Sequence, residues 1–220
     1  MANVIQRIVG PRVPAEDLAA RGARYRIPTF ILWLARLLLL ISIFLPYWHM
    51  KLEAPQYPDG LFVEAYLNRL TGDVREIDGL NHYIGMRPLN EAARLERSLS
   101  IAAIIALMLL VEGAALVRTK WAALLCLPTI LFPVFFLGDL WFWLHNFGQN
   151  LDPHAALSNA IEPFTPPVLG AGEIGQFRTV ASPGAGLVLS GAAAVLVIVA
   201  LFFHRRAYKP LVDAQQAAAA

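Results

Sequence analysis

Residues 121–145 read WAALLCLPTILFPVFFLGDLWFWLH, a run that contains one formal charge, Asp139. A helix rises 1.5 Å per residue, so this run is long enough to cross a hydrocarbon core of roughly 30 Å, which takes about 20 residues. Three more runs have the same character: 28–48 (PTFILWLARLLLLISIFLPYW), 99–117 (LSIAAIIALMLLVEGAALV) and 185–203 (AGLVLSGAAAVLVIVALFF). In lipid the backbone must satisfy its own hydrogen bonds, which makes each run a helix. The sequence therefore predicts an all-α membrane protein with four transmembrane helices.

Composition agrees. The 220 residues are 57% hydrophobic and 15% charged, against about 25% charged in an ordinary soluble domain. Mean hydropathy is +0.54. A net charge of +2 implies no strong attraction to nucleic acid. The single cysteine, Cys126, lies inside an apolar run, so neither an intrachain disulfide nor a C-x-x-C motif is available. A signal peptide places its apolar core nearer the start than residue 28, so the first span is expected to remain as an uncleaved anchor.

Lys and Arg near the span ends set the orientation. The cytoplasmic N-terminal segment, 1–27, carries Arg7, Arg12, Arg21, Arg24 and Arg26. The turn at 118–120 carries Arg118 and Lys120, and the tail at 204–220 carries Arg205, Arg206 and Lys209. The loop 49–98 holds six basic and eight acidic residues; the loop 146–184 holds Arg178 against Asp152, Glu162 and Glu173. Both termini are thus expected on the cytoplasmic side of a bacterial inner membrane, with both long loops periplasmic. Tyr47, Trp48, Trp141 and Trp143 read as an outer aromatic belt and Trp121 as an inner anchor. Ile5, Ile8, Val9 and the N-terminal arginines suit a surface of anionic lipid.

The first loop is far longer than a plain connection of about 4–6 residues. Tyr57-Pro58-Asp59-Gly60 and Thr71-Gly72-Asp73 read as turns. Between them LFVEAYLNRL is a strand or a short helix, and Asn90 is expected to cap a helix leading into the second span. This predicts a small extracytoplasmic α+β module in the first outer loop. The second loop, with Pro153, Pro163, Pro166, Pro167, Gly170, Gly172 and Gly175, reads as an ordered irregular segment. It is expected to lie over the helix ends or the module.

Polar groups inside the spans are few. Arg36 lies about 12 Å into the first span and Glu112 about 9 Å from the inner end of the second. An unpaired charge there costs at least roughly 2.5–3.5 kcal/mol. The matching depths predict a structural pair; the alternatives are an inward-snorkelling Arg36 or a proton path, for which one pair supplies no relay. Pro128 and Pro133 are expected to kink the third span, and Asp139 near its outer end reads as an interfacial acceptor. Gly186, Ser190 and Ala194 place small residues at spacing four on the fourth span. That suits close helix packing within the chain or against another subunit.

Of the five histidines, His49, His82, His145 and His154 fall on the outer side or at its boundary, with Met50 and Met86. His204 reads as interfacial on the inner side. Imidazole and thioether together suit copper, so His82, Met86, His49, Met50 and His154 are candidate metal ligands. On a helix, His82 and Met86 would share a face. The competing reading has these histidines as hydrogen-bonding groups at the interface. Heme is disfavoured because no C-x-x-C-H motif or paired transmembrane histidines occur. Peripheral pigment or lipid contacts stay open. No Ser-His-Asp spacing, phosphate loop or H-E-x-x-H occurs, so the chain reads as non-catalytic.

The strings LPYWHMKLEAPQYPDGL, IDGL (77–80), NHYIGM, DLWFW and NLDPHAAL resemble a group of small four-span bacterial membrane proteins of unassigned function, over roughly residues 28–203. The resemblance implies no activity. It implies an association, in some members, with nitrous-oxide reductase and copper-handling genes. Two functions follow as expectations. One is a non-catalytic accessory or scaffolding subunit of a larger respiratory or photosynthetic electron-transfer complex, whose partners are lipids and other membrane subunits. The other is a copper-handling membrane protein.

Overall fold

The computed structural model describes residues 8–157, 159–174 and 176–219, with side chains as far as 217. Ile5, Arg7 and Gly175 lie outside the described residues, as does the last alanine. The chain is mostly helical, with a small antiparallel sheet built between the helices.

Among the described residues, four helices are long and apolar enough to cross a membrane, and they fit a multi-pass membrane protein. They are α1 (Ala15–Ser42), α3 (Arg94–Leu116), α4 (Trp121–Gln149) and α5 (Ala185–Ala219); a shorter helix, α2, spans Val74–Ile84. Each long helix outruns its apolar stretch. α1 begins within the polar N-terminal segment and breaks its regular geometry at Arg21. α5 continues through the basic tail as far as Ala219. The first span is shorter at its other end than the apolar run suggests. α1 stops at Ser42, and Trp48 already starts a strand.

Two compact units divide the chain. The first comprises Met1–Ile41, Ala103–Pro133 and Leu189–Ala220; the second comprises Ser42–Ala102 and Val134–Val188. In the first unit, Leu32, Ala35 and Leu39 of α1 are almost fully buried, as are Ile104, Val111 and Ala114 of α3 and Ala193, Val197 and Ala200 of α5. A smaller cluster joins Tyr25 to Ala207 and Tyr208, with Val13 and Leu211 against it.

The second unit contains the sheet. Its strands are β1 (Trp48–Ala54), β2 (Tyr57–Ala65), β3 (Leu70–Gly72), β4 (Gly170–Ile174) and β5 (Phe177–Pro183), in the order β3-β2-β1-β5-β4. β1 alternates buried and half-exposed residues, so Trp48, Met50, Leu52 and Ala54 point inward. Trp48, Met50 and Leu52 pack with Leu61, Val63, Ala65, Val74, Ile77, Leu144 and Ala181.

Three expectations change here, and one open alternative resolves to strand. The second loop is not irregular throughout: it supplies β4 and β5, and β5 pairs with β1 from Trp48↔Pro183 to Glu53↔Arg178. The folded module therefore draws on both loops. LFVEA is strand, and the chain turns before β3. Tyr47 and Trp48 are not a lipid-facing belt; they are 0% and 4% exposed, because Tyr47 packs on Phe136 and the Trp48 indole donates to the Val168 carbonyl. Asn90 does not cap α3. It sits in a short 3-10 turn at Leu89–Glu91, and α3 starts at Arg94.

Candidate functional site

Arg36 and Glu112 form an ion pair within the first unit. α1 and α3 supply one partner each, so the pair joins the first two spans. His204, read as interfacial, is 6% exposed; its Nε2–H donates to the Val117 carbonyl at 2.8 Å. That bond satisfies one of the carbonyls left open where α3 ends.

The small residues of α5 face inward. Ser190 is fully buried and Ala194 nearly so. Gly186 lies against the ring of Tyr47. Their small size serves packing inside this chain.

The candidate metal ligands occupy several places. His49 is half-exposed on β1 and faces Glu64 of β2, 3.4 Å from Nδ1 to the carboxylate. Met50 points to the opposite face, into the core. His82 and Met86 do not share a helical face. α2 ends at Ile84, and Gly85 takes a left-handed conformation (φ 82°) that turns the chain. His82 is left exposed, while Met86 is buried against Ile84 and Phe147. Met50 and Met86 nevertheless line one cavity of about 50 Å³, walled mostly by apolar side chains.

A second grouping is not visible in the spacing. The Asp152 N–H donates to the Gly85 carbonyl at 2.8 Å, and the Leu157 N–H to that of Tyr83 at 2.9 Å. The second loop is thereby fastened to the end of α2. Asp152 then lies beside the His154 imidazole and within electrostatic range of His82. Its carboxylate accepts from the backbone N–H of His154 at 2.9 Å and lies 3.3 Å from His154 Nδ1, and His82 is close enough to act on it electrostatically. The His154 N–H bond is the main cause that holds the Asp152 carboxyl below its ordinary range, with smaller contributions from the two imidazoles. The hint in the sequence is the Asx-type spacing of Asp152-Pro153-His154; the nearness of His82 requires the fold. Among the described residues, no three His, Cys, Asp or Glu side chains gather at metal-holding distance.

The remaining outer histidine is held locally. His145 stacks on Trp141 at 5.0 Å between ring centres, and its Nδ1 lies 2.9 Å from the Thr165 hydroxyl. Comparison with family models, curated proteins and solved structures gives no match.

Proposed function

We propose that this protein is a non-catalytic scaffolding subunit of a larger membrane complex. Its four spans would sit in a bacterial inner membrane, with both termini cytoplasmic. The observation that carries this reading is the β1–β5 ladder, which makes one sheet from two connecting segments far apart in the chain. A connection alone needs only about 4–6 residues. Ordering each further residue costs roughly 1–2 kcal/mol of conformational entropy. A sheet with its own core is a platform of fixed shape, and fixed platforms serve recognition. α4 adds a large apolar surface that this chain leaves uncovered, including Leu127, Leu131, Val134, Phe135 and Phe142. Lipid or neighbouring helices would cover it.

The test is purification from native membranes in mild detergent, followed by native mass analysis. The reading expects a defined heteromeric assembly. Recovery of the lone chain in every mild detergent, with no partner crosslinked in intact membranes, would overturn it.

A second reading, metal handling at the outer surface, is favoured by His154 against Asp152, with His82 within electrostatic range of the same carboxylate. It expects stoichiometric copper on the purified protein, lost in both His82→Ala and His154→Ala.

A further inference from the structure

The first unit contains an open groove of about 680 Å³, a size within the range of ligand sites, about 300–1,000 Å³. Four guanidinium groups line it: Arg12, Arg26, Arg36 and Arg118. Glu112 neutralises Arg36. Arg118 is steadied by the Pro11 carbonyl, which accepts from its Nη1 at 3.1 Å. Arg12 and Arg26 are exposed. Among the described residues, Arg12, Arg26 and Arg118 have no carboxylate within ion-pairing distance.

The opposite character begins one turn along the same helix. Arg26, Phe30 and Trp33 follow at spacings of four and three on α1, and so share a face. Phe30 and Trp33 also line the groove, stack at 6.2 Å between ring centres, and are 64% and 51% exposed. The stripe runs on to Leu40, also exposed. From Phe30 to Leu40 is about 15 Å at helical rise, half of a bilayer core of roughly 30 Å. That is the depth reached by one acyl chain in one leaflet.

We propose that this groove is a binding site for an anionic phospholipid. The phosphate sits among Arg12, Arg26 and Arg118, and an acyl chain lies along Phe30, Trp33 and Leu40. Guanidinium forks match phosphate oxygens in pairs, which favours a phosphate head over a simple diffuse attraction. The apolar stripe favours a lipid over a free anion, because inorganic phosphate gains nothing from Phe30 or Trp33.

Native mass spectrometry of the detergent-purified protein with added phosphatidylglycerol or phosphatidylcholine tests this. The wild type is expected to retain phosphatidylglycerol preferentially. Arg12→Ala with Arg26→Ala should weaken that retention by roughly tenfold or more, and Trp33→Ala should weaken it less. Both changes lie at exposed positions, and unchanged thermal unfolding shows that the variants fold. Equal retention of the two lipids, an unaltered double variant, or displacement of phosphatidylglycerol by equimolar inorganic phosphate would overturn the assignment. A variant that fails to fold is replaced by Arg12→Gln with Arg26→Gln, which is read by the same criteria.

Discussion

Gly186 lies so close to Tyr47 that a Cβ at position 186 would come within 2.5 Å of the ring's Cδ2. The ring has little freedom to move away. Its hydroxyl is 2.8 Å from Ser42 Oγ, its ring packs on Phe136 at 5.0 Å between ring centres, and the residue is fully buried. Gly186→Ala should therefore destabilise the protein by about 1–3 kcal/mol, as overpacking of a close-packed site does. At Gly191, on the same helix, a Cβ would meet nothing within 4 Å. Gly191→Ala should be neutral or stabilising by up to about 1 kcal/mol through helix propensity. Thermal unfolding of both variants in one detergent separates the two effects; equal behaviour would refute the packing argument.

The Arg36–Glu112 pair should show strong coupling. Glu112→Gln leaves the Arg36 charge without its partner at a depth where such a charge costs roughly 2.5–3.5 kcal/mol. Replacing both residues with Met removes the charge problem together with the pair, so the double variant should be more stable than either single one. A double-mutant cycle measured by unfolding in detergent checks this. Simple additivity would mean that each residue is stabilised by its surroundings separately.

Asp152 gives a pH dependence with a definite sign. Its carboxyl is held below the ordinary value of 3.8, chiefly by the His154 backbone N–H. A carboxyl whose pKa is depressed on folding favours the folded state above its unfolded pKa. That contribution is lost as pH falls through the folded pKa. The Asp152 contribution should thus be complete at neutral pH and disappear only in strong acid. Carbon-13 titration of the side chain should give a midpoint below 3.8, and Asp152→Asn should flatten the acid limb of the stability curve. A midpoint at or above the ordinary value would remove the argument.

How far the sequence reveals this structure depends on the range of the interactions. Runs of apolar residues report the spans directly, since lipid sets their length and no partner needs to be known. Arg36 and Glu112 can be matched because depth along a helix is readable from position. Trp48 is a harder case. It closes an apolar run and so reads as part of an aromatic belt, yet WHMKLEA already alternates with period two, the mark of a strand. What the alternation does not give is the partner. β5 lies some 130 positions further on, in a segment rich in Gly and Pro, and β1 becomes a central strand only once β5 is in place. The neighbourhood of Asp152 has the same origin, because His82 reaches it through Gly85 and not through local spacing.

The position of β1 between β2 and β5 makes it the part of the sheet whose disturbance should travel furthest. Both of its edges are paired, and its inward residues form much of the core. Lys51 is the site to perturb. Its side chain points away from that core and pairs loosely with Glu53 at 3.3 Å, so the packing loss on replacing it is small. Proline there removes a ladder donor and fits poorly in a central strand. Lys51→Pro should raise amide exchange at 57–65 and also at 177–183, although the second segment is remote in the chain. Lys51→Ala should leave both protected. Exchange confined to the β1–β2 hairpin in the proline variant would show that β5 is held by its own loop. It would also remove the main support for the two connecting segments forming one platform.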